Sequence, residues 1–359
     1  MAPDVKTALQ QTQRKQLSQA EIAELLSTAG WSPAQIHDVV GHEEITKEAI
    51  IRIEGVAKLF RTKTILENLY VHIRKGEIFG IIGPSGSGKT TLLNLIAGYY
   101  TPDRGDVLVD HNGKTVSASK SQKLIKRLIG FSTQSPSVYA KLTVLENILH
   151  FSTLYGLSQK ESINRARALI RLMGLEGSER TLAADLSGGM YKRLDIACSM
   201  THNPLVLILD EPTADLDPLM RKSMMQLIRE INKRGTTIIL ASHFLGEVEH
   251  LCSRIAIVRN KTIREIGTAN QLKDLYTKNY IVTIRLASKS YGPLLSELRA
   301  QKIAESVDKE DTSLVIKTGN PQAALIAIAT SLSRTGELLE HVHIARPSMQ
   351  ELFNNLVQQ

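Results

Sequence analysis

The feature that most constrains the fold is a glycine-rich run between two apolar segments. Ile78–Ile82 has the unbroken apolar character of a buried strand, and it leads into Gly83–Thr90, which reads GPSGSGKT, and then into an amphipathic helical pattern. A strand, the run GxxxxGKT and a helix in this order predict a phosphate-binding loop. The glycines let backbone N–H groups close around phosphate oxygens, and the start of the helix adds the positive end of its dipole.

Two side chains of this loop are expected to act directly. Lys89 should bridge the β- and γ-phosphates of a nucleotide, and the Thr90 hydroxyl should hold Mg²⁺. By chance such a run would occur in about one chain of this length in a hundred, and the flanking strand and helix make coincidence rarer still. The residues predicted to bind the nucleotide here are Gly83, Pro84, Ser85, Gly86, Ser87, Gly88, Lys89, Thr90 and Thr91.

A second apolar strand ends in two carboxylates. Leu205–Leu209 is followed directly by Asp210 and Glu211, which places both acids at the carboxyl edge of a parallel sheet, where α/β proteins build their sites. We expect Asp210 to bind Mg²⁺ through water and Glu211 to polarise an attacking water. A strand that simply ends in a polar turn is common, so it is the phosphate loop that makes the functional interpretation the stronger one.

Two further residues follow strand-like segments and carry weaker signals. Thr236–Ala241 ends at Ser242 and His243, and a histidine on this edge could contact a γ-phosphate, although a lone histidine is most often structural. Gln134 follows the strand-like Ile129–Phe131 and offers its amide to Mg²⁺ or to water. Neither residue would support a functional assignment without the other elements.

The run Leu186–Gly189, LSGG, lies about twenty residues before Asp210 and completes a recognisable order of elements. Phosphate loop, Gln134, LSGG, carboxylate strand, the loop Ala214–Asp217 and His243 follow one another as they do in the ABC ATPases. Over roughly residues 50 to 270 the chain therefore resembles that family. LSGG alone would be weak support, whereas six elements in the right order are a very specific match.

The resemblance implies a site shared between two chains. Ser187 is predicted to cap a helix, and Gly188 and Gly189 let the backbone approach a ligand; in the family this helix start faces the γ-phosphate held by the other subunit. Two ATPase chains, identical or related, would close head to tail around two ATP molecules with Mg²⁺ and hydrolyse them. Phe60 stands where the family places an aromatic ring against adenine. Asp215 departs from the family's usual small residue, which raises a question over the rate of hydrolysis.

Several stretches resemble the branch of the family that serves drug, polysaccharide and lipid exporters. They are LSGGMYKRLDIA, Glu77–Gly80 and Thr143–Ile148. The implied partner is a separately encoded transmembrane permease, gripped by Ser135–Asn147, a segment that could otherwise be an ordinary surface turn and helix. The alternatives left open are an importer ATPase and a soluble ABC ATPase outside transport.

Charge and composition exclude some other classes. The net charge is +8, but no block of five like charges occurs and aromatic residues are only 4%, so we expect a dispersed solvated surface and no nucleic-acid partner. No apolar run approaches the roughly 20 residues that cross a bilayer, and the first residues lack the apolar stretch of a secretory signal. We therefore expect a cytoplasmic protein, peripheral on the inner face of the cell membrane. Cys198 and Cys252 are expected to be buried thiols.

The predicted fold class is α/β, a P-loop NTPase core of the ABC type at residues 48–277, with a helical subdomain at about 135–200. A helical extension, either a docking module or a packing appendage, is predicted at 1–47. Residues 278–359 are predicted to form a small α+β, ferredoxin-like module, because from Tyr280 the pattern runs βαββαβ. Its tail, Ala345–Phe353, is expected to open a helix capped by Ser348 and resembles the tail of exporter ATPases.

Overall fold

The structure, a computed structural model, describes the chain from residue 49 onward with few gaps. Its described residues are 49–276, 279–288, 291–300, 303–310 and 312–346. The predicted N-terminal extension and the tail from residue 347 lie outside the described residues. The described residues form two compact units, one of residues 49–243 and 251–266 and one of residues 244–250 and 267–346. The predicted domain boundary at 277–278 falls on residues outside the description and stays a prediction.

Ten strands of the first unit form two sheets. In chain order they are β1 (Ala49–Phe60), β2 (Lys63–Arg74), β3 (Ile78–Ile82), β4 (Arg104–His111), β5 (Lys114–Ser117), β6 (Ile129–Ser132), β7 (Val206–Asp210), β8 (Thr237–Ala241), β9 (Arg254–Arg259) and β10 (Thr262–Gly267). One sheet is antiparallel, in the order β2-β1-β4-β5. The other has six strands in the order β10-β9-β3-β8-β7-β6, and the pairs from β9 to β6 are all parallel.

The central strands explain where the predicted site residues meet. Every residue of β3, β7 and β8 is buried, as expected for a parallel sheet that is covered on both faces. These strands lie side by side, so their carboxyl ends open at one edge. The phosphate loop, the two carboxylates and His243 follow those three ends directly. The predicted α/β fold is therefore confirmed for this unit.

Six helices accompany these strands. They are α1 (Lys89–Ile96), α2 (Gln122–Leu128), α3 (Val144–Leu154), α4 (Gln159–Met173), α5 (Gly188–Ser199) and α6 (Pro218–Lys233). Helices α3, α4 and α5 pack on one another. Thr143 and Ser158 begin α3 and α4 with complete capping boxes. Each hydroxyl accepts a hydrogen bond from the backbone N–H of a glutamate three residues later, and the side chain of that glutamate accepts one from the backbone N–H of the capping residue. Asp217 caps α6, whose first residue is a proline.

The second unit has its own core. Its elements are α7 (Leu245–Leu251), α8 (Ala269–Tyr276), β11 (Tyr280–Leu286), α9 (Gly292–Ala300), β12 (Ser306–Glu310), β13 (Ser313–Thr318), α10 (Pro321–Thr335) and β14 (Leu339–Ala345). The strands form an antiparallel sheet in the order β12-β13-β11-β14. Val282, Ile284 and Leu286 alternate along β11 and pack beneath α9 and α10. From Tyr280 the elements follow the predicted βαββαβ order; the name ferredoxin-like stays a prediction.

Two of the sequence expectations concern single features. Cys198 and Cys252 are both buried and free, as predicted, and burial raises the pKa of each thiol. Among the helices that the structure describes, none combines the length and the apolar character needed to cross a membrane.

One histidine ties β6 to the loop after α3. The ring of His202 stacks on Tyr155, with centroids 3.8 Å apart, and its Nε2 lies 3.3 Å from the carbonyl oxygen of Ile129. Its Nδ1 is buried and has no hydrogen-bond partner among the described residues. Protonation at Nδ1 would bury an uncompensated charge, and this burial lowers the pKa of His202 to about 4.

The depressed pKa of His202 predicts acid-sensitive stability. An unfolded histidine has a pKa of about 6.5, so the neutral ring stabilises the fold fully above that pH, and this contribution is lost as the pH falls toward about 4. We expect the loss to be about 3 kcal/mol in the free energy of unfolding. Urea unfolding at neutral and acidic pH should show it as a difference between the parent and His202→Gln, which lacks the titrating ring. Parallel pH profiles for the two proteins would contradict the assignment.

Candidate active site

The phosphate loop spans the six residues between β3 and α1. Gly86 and Gly88 have φ angles of 76° and 104°, in the region that favours glycine. A Cβ on Gly88 would lie 2.6 Å from Leu66, and one on Gly83 would lie 2.4 Å from the carbonyl oxygen of Val258. Backbone conformation and close packing therefore both require glycine here, independently of any ligand.

Lys89 folds back across its own loop. Its Nζ donates to the carbonyl oxygens of Gly83 and Pro84 at 2.9 and 3.2 Å. Burial lowers the pKa of Lys89, and the nearby charges of Glu211 and Asp210 oppose that effect. The ammonium group is thus held at the mouth of the loop, facing the two carboxylates, where it can also meet phosphate oxygens.

Asp210 links β7 to the first turn of α1. Its carboxylate is 2% exposed, and its Oδ2 accepts a hydrogen bond of 2.9 Å from Thr90 Oγ1. Burial raises the pKa of Asp210; the Thr90 hydrogen bond and the charges of Lys89 and Lys192 oppose this, while Glu211 adds to it. The structure therefore joins two residues, 120 positions apart, that the sequence predicts to share a metal ion.

Glu211 and His243 form a second pair at the same edge. Glu211 Oε2 lies 2.7 Å from His243 Nδ1 and accepts from the backbone N–H of His243 at 3.3 Å. The glutamate has a φ of 52°, and its N–H donates to Ala241. Left-handed backbone is uncommon in residues other than glycine, asparagine and aspartate, and such strained residues cluster at functional sites. Its side chain is 10% exposed and that of His243 is 57% exposed, so the pair reaches solvent through the histidine.

The LSGG run does not join these residues within the chain. Ser187 caps α5, and its Oγ accepts from the N–H of Met190 at 3.3 Å, which confirms the predicted cap. Ser187 and Gly188 are exposed, and a Cβ on Gly188 would meet no atom within 4 Å. Within the described residues no hydrogen bond or ion pair connects this helix start to the phosphate loop. Gly189 is buried against Met220.

Phe60 ends β1 and is 41% exposed, and the side chains of Tyr100 and Lys58 lie against its ring. The ring of Tyr100 meets it edge-on at 5.4 Å, and Lys58 Nζ lies 5.3 Å from its centroid. Asp103 pairs with Lys58 at 3.0 Å and accepts from the N–H of Leu59. Neither Tyr100 nor Asp103 was predicted from the sequence; the signal for Tyr100 is the Tyr-Tyr pair that follows the phosphate-loop helix after two small residues.

Gln134 lies exposed in the loop after β6, on the carboxyl side of the sheet. Two buried charged residues of α5, Lys192 and Asp195, bond to residues on both sides of it. Neither residue was predicted from the sequence to contribute to the site. The available signal was the recurrence of polar residues at Lys192, Asp195 and Ser199, at helical spacing, on the buried face of α5.

Asp215 lies in the loop after β7, where the family that the sequence resembles usually has a small residue, and the backbone conformation there accounts for an aspartate. Its φ is 62°, in the left-handed region that aspartate enters more readily than most residues. The residue is therefore compatible with the backbone there.

The residues present fit a nucleotide phosphate with a divalent cation. Ser87 Oγ is buried and lacks a hydrogen-bond partner among the described residues, so it is ready to donate to a phosphate oxygen. Thr90 and Asp210 supply a hydroxyl and a carboxylate side by side. The described part of the chain contains no group of three or more His, Cys, Asp and Glu side chains arranged to hold a metal. A cation here would take its remaining ligands from phosphate and water, as Mg²⁺ does.

Comparison with known proteins decides the family. The profile described as ABC transporter matches residues 66–214. The daunorubicin/doxorubicin resistance ATP-binding protein DrrA of Streptomyces peucetius is 30% identical over 84% of this chain and 91% of its own length. The chain belongs to the ABC transporter family. The linearmycin resistance ATP-binding protein LnrL of Bacillus subtilis is 28% identical over 86% of this ABC subunit and 98% of its own length.

Solved structures agree with this assignment. The cbiO1 subunit of Clostridium perfringens, part of the transporter complex cbiONQ, is similar with a TM-score of 0.58 and 27% identity over 63% of this chain and 90% of its own. The cassette MJ0796, a dimer in a post-hydrolysis state with ADP and Pi, has a TM-score of 0.54 and 26% identity over 61% and 98%. The chain is thus the ATP-binding subunit of a transporter, and its core is an ATP hydrolase.

The geometry of Glu211 predicts separable effects on binding and turnover. Glu211→Gln keeps the size of the side chain but loses the carboxylate charge, so ATP should still bind while turnover falls at least about 100-fold. Equilibrium nucleotide binding and phosphate release would measure both. Glu230→Gln, which removes a carboxylate from a surface ion pair with Lys233, is the matched control and should match the parent. Parent-like turnover in Glu211→Gln would contradict the assignment.

Proposed function

We propose that this chain powers an exporter, as a peripheral subunit on the inner face of the cell membrane. ATP with Mg²⁺ closes a dimer of two ATPase chains, hydrolysis reopens it, and a separately encoded permease converts the movement into transport. The carrying observation is the extent of the similarity to resistance proteins. The alignment with LnrL covers 308 residues, more than the 277 that precede the predicted C-terminal region at 278–359, so it must extend into that region.

The methionine importers match 65% to 75% of this chain, less than the 86% and 84% matched by the resistance proteins LnrL and DrrA. The methionine import protein MetN of Bacillus subtilis is 34% identical over 241 residues, 65% of this chain. The Nod factor export protein of Burkholderia thailandensis is 36% identical over 74%. Identity and coverage do not separate the Nod factor exporter from the importers, whereas the longer matches to LnrL and DrrA favour export. An importer is the second candidate, on the core identity to MetN.

Each site residue has a proposed role in this cycle. Mg²⁺ would be held by Thr90, by Gln134 and, through water, by Asp210. The phosphates would be held by Lys89 and by the backbone of the phosphate loop. The carboxylate of Glu211 orients and polarises the attacking water, and His243, which bonds to that carboxylate, reaches toward the γ-phosphate. The exposed ring of Phe60 stacks on adenine.

The proposed permease contact is the segment between Gln134 and α3. Tyr139 in this segment is 50% exposed and packs edge-on against His150. Asn147 is fully buried, accepts from the N–H of Tyr139 and donates to the carbonyl oxygens of Tyr139, Leu142 and Thr143. The hydrogen bonds of the buried Asn147 therefore fix the conformation of this exposed segment. A fixed and exposed surface is suited to dock a membrane subunit.

The C-terminal βαββαβ unit is proposed to be a ferredoxin-like accessory module that stabilises the dimer or the permease complex. Its helices α9 and α10 cover one face of the sheet. On the opposite face Arg285, His341 and His343 are exposed, which supports a contact role for that face. The predicted boundaries at 47–48 and 277–278 are kept as part of this proposal.

Transport direction can be tested in inverted membrane vesicles, which present the ATPase side outward. The vesicles should contain the chain and the membrane subunit that co-purifies with it. For an exporter, added ATP drives uptake of linearmycin or daunorubicin, and vesicles with Glu211→Gln show none. ATP-dependent loss of preloaded methionine would overturn export in favour of import.

In the proposed dimer each ATP lies between the phosphate loop of one chain and the LSGG run of the other. Two variants that are each inactive should therefore complement each other. Lys89→Ala removes a phosphate-binding charge. Gly188→Asp puts a carboxylate beside the partner's γ-phosphate, and the Cβ that it adds would meet no atom of its own chain within 4 Å. Each should be inactive alone, and their mixture should recover activity because one of its two sites is intact. The recovery should be well under half, since the two sites cooperate. A Gly188→Asp chain that cannot bind ATP as a monomer would contradict the placement of LSGG on the neighbour's nucleotide.

A further inference from the structure

The loop that carries Gln134 is held at both ends by a single helix. Before Gln134, Ser132 Oγ donates to Asp195 Oδ2 at 2.5 Å; after it, the N–H of Ser137 donates to Asp195 Oδ1 at 2.8 Å. Lys192 Nζ donates to the carbonyl oxygen of Thr133 at 2.9 Å. One carboxylate and one ammonium group, three residues apart on α5, therefore fix the residues that flank Gln134.

Both groups are buried charges. Asp195 is 3% exposed and Lys192 is 8% exposed. Burial raises the pKa of Asp195, and the hydrogen bonds from Ser132 and Ser137 and the charge of Lys192 oppose it. Burial lowers the pKa of Lys192, and the charges of Asp195, Asp210 and Glu211 oppose it. A buried charge is tolerated only when it is paired and hydrogen-bonded, and here the loop supplies the hydrogen bonds.

We propose that Lys192 and Asp195 are positioning residues that set the place of Gln134 at the metal site. This inference rests on the proposed role of Gln134 as a ligand of Mg²⁺. The helix that holds the loop is also the helix that begins at Ser187, the residue proposed to face the neighbour's nucleotide. A displacement of α5 when two chains close is thereby passed to Gln134 through two side chains.

Arg193, which follows Lys192 on α5, provides a matched control. Arg193 is also a hydrogen-bonded cation, but its guanidinium donates to the carbonyl oxygen of Met173 at 2.6 Å and to Ser223 Oγ at 2.7 Å. It therefore ties α5 to α4 and α6 and does not touch the Gln134 loop. Arg193→Met removes packing and hydrogen bonds of similar kind while leaving that loop in place.

The test is the affinity of Mn²⁺, measured by electron paramagnetic resonance, for the full chain saturated with a non-hydrolysable ATP analogue. Asp195→Ala removes the contacts with Ser132 and Ser137, one on each side of Gln134. It should weaken Mn²⁺ binding by about three- to tenfold, as expected for a ligand whose position is worth one hydrogen bond. Asp195→Asn should restore most of the affinity, because its oxygen can accept from Ser137 and its amide can donate to Ser132. Arg193→Met should bind Mn²⁺ like the parent.

Three outcomes distinguish the possibilities. If Gln134→Ala leaves Mn²⁺ affinity unchanged, the metal role of Gln134 is wrong and the inference falls with it. If Gln134→Ala weakens binding and Asp195→Ala does not, the positioning role alone is overturned. Equal losses in Asp195→Ala and Arg193→Met would mean that only general stability is at stake. Should Asp195→Ala fail to fold, Ser132→Ala removes one of the same two contacts with a smaller change and should give a smaller loss.

Discussion

The site depends on the register of three parallel strands. Ala241 of β8 is paired with Ile81 of β3 on one side and with Asp210 of β7 on the other. The phosphate loop, Glu211 and the segment toward His243 therefore leave the sheet at the same level. A slip of one residue in either pairing would turn the side chains of a strand to the opposite face and separate Asp210 from Thr90. The burial of all three strands makes such a slip costly, so the apolar core and the chemistry are specified together.

The same edge concentrates charge inside the protein. Lys89, Lys192, Asp195 and Asp210 are all partly or fully buried, and each is held by hydrogen bonds. Lys89 bonds to carbonyl oxygens and Asp210 to a hydroxyl, which are partners that phosphate and a cation can replace at little cost. In the proposed cycle, ATP with Mg²⁺ enters a set of charges that is already arranged. Lys192 and Asp195 then connect that set to the helix that begins at LSGG.

The sequence predicted what depends on short-range pattern. Unbroken apolar runs located β3, β7 and β8 within a residue or so, and the strand order of α/β proteins brought Asp210 to the phosphate loop. Glu211 and His243 lie 32 positions apart and meet because two different loops leave the sheet side by side. Tyr100 packs on Phe60 because of the turn that follows α1. Neither contact could be predicted from the spacing of the residues in the sequence. Lys192 and Asp195 were not predicted, because in a sequence charged residues at helical spacing look the same whether that face of the helix is buried or exposed to solvent.

The central claim is that one chain holds the phosphates of ATP but only half of the catalytic site. Ser187 and Gly188 are exposed, and among the described residues no hydrogen bond or ion pair joins them to the phosphate loop of their own chain. Sedimentation velocity of the full chain carrying Glu211→Gln tests this most directly. The account predicts a monomer without nucleotide and a dimer with saturating ATP and Mg²⁺, since blocked hydrolysis leaves the closed state in place. A chain that binds ATP fully and still sediments as a monomer at every concentration would contradict it.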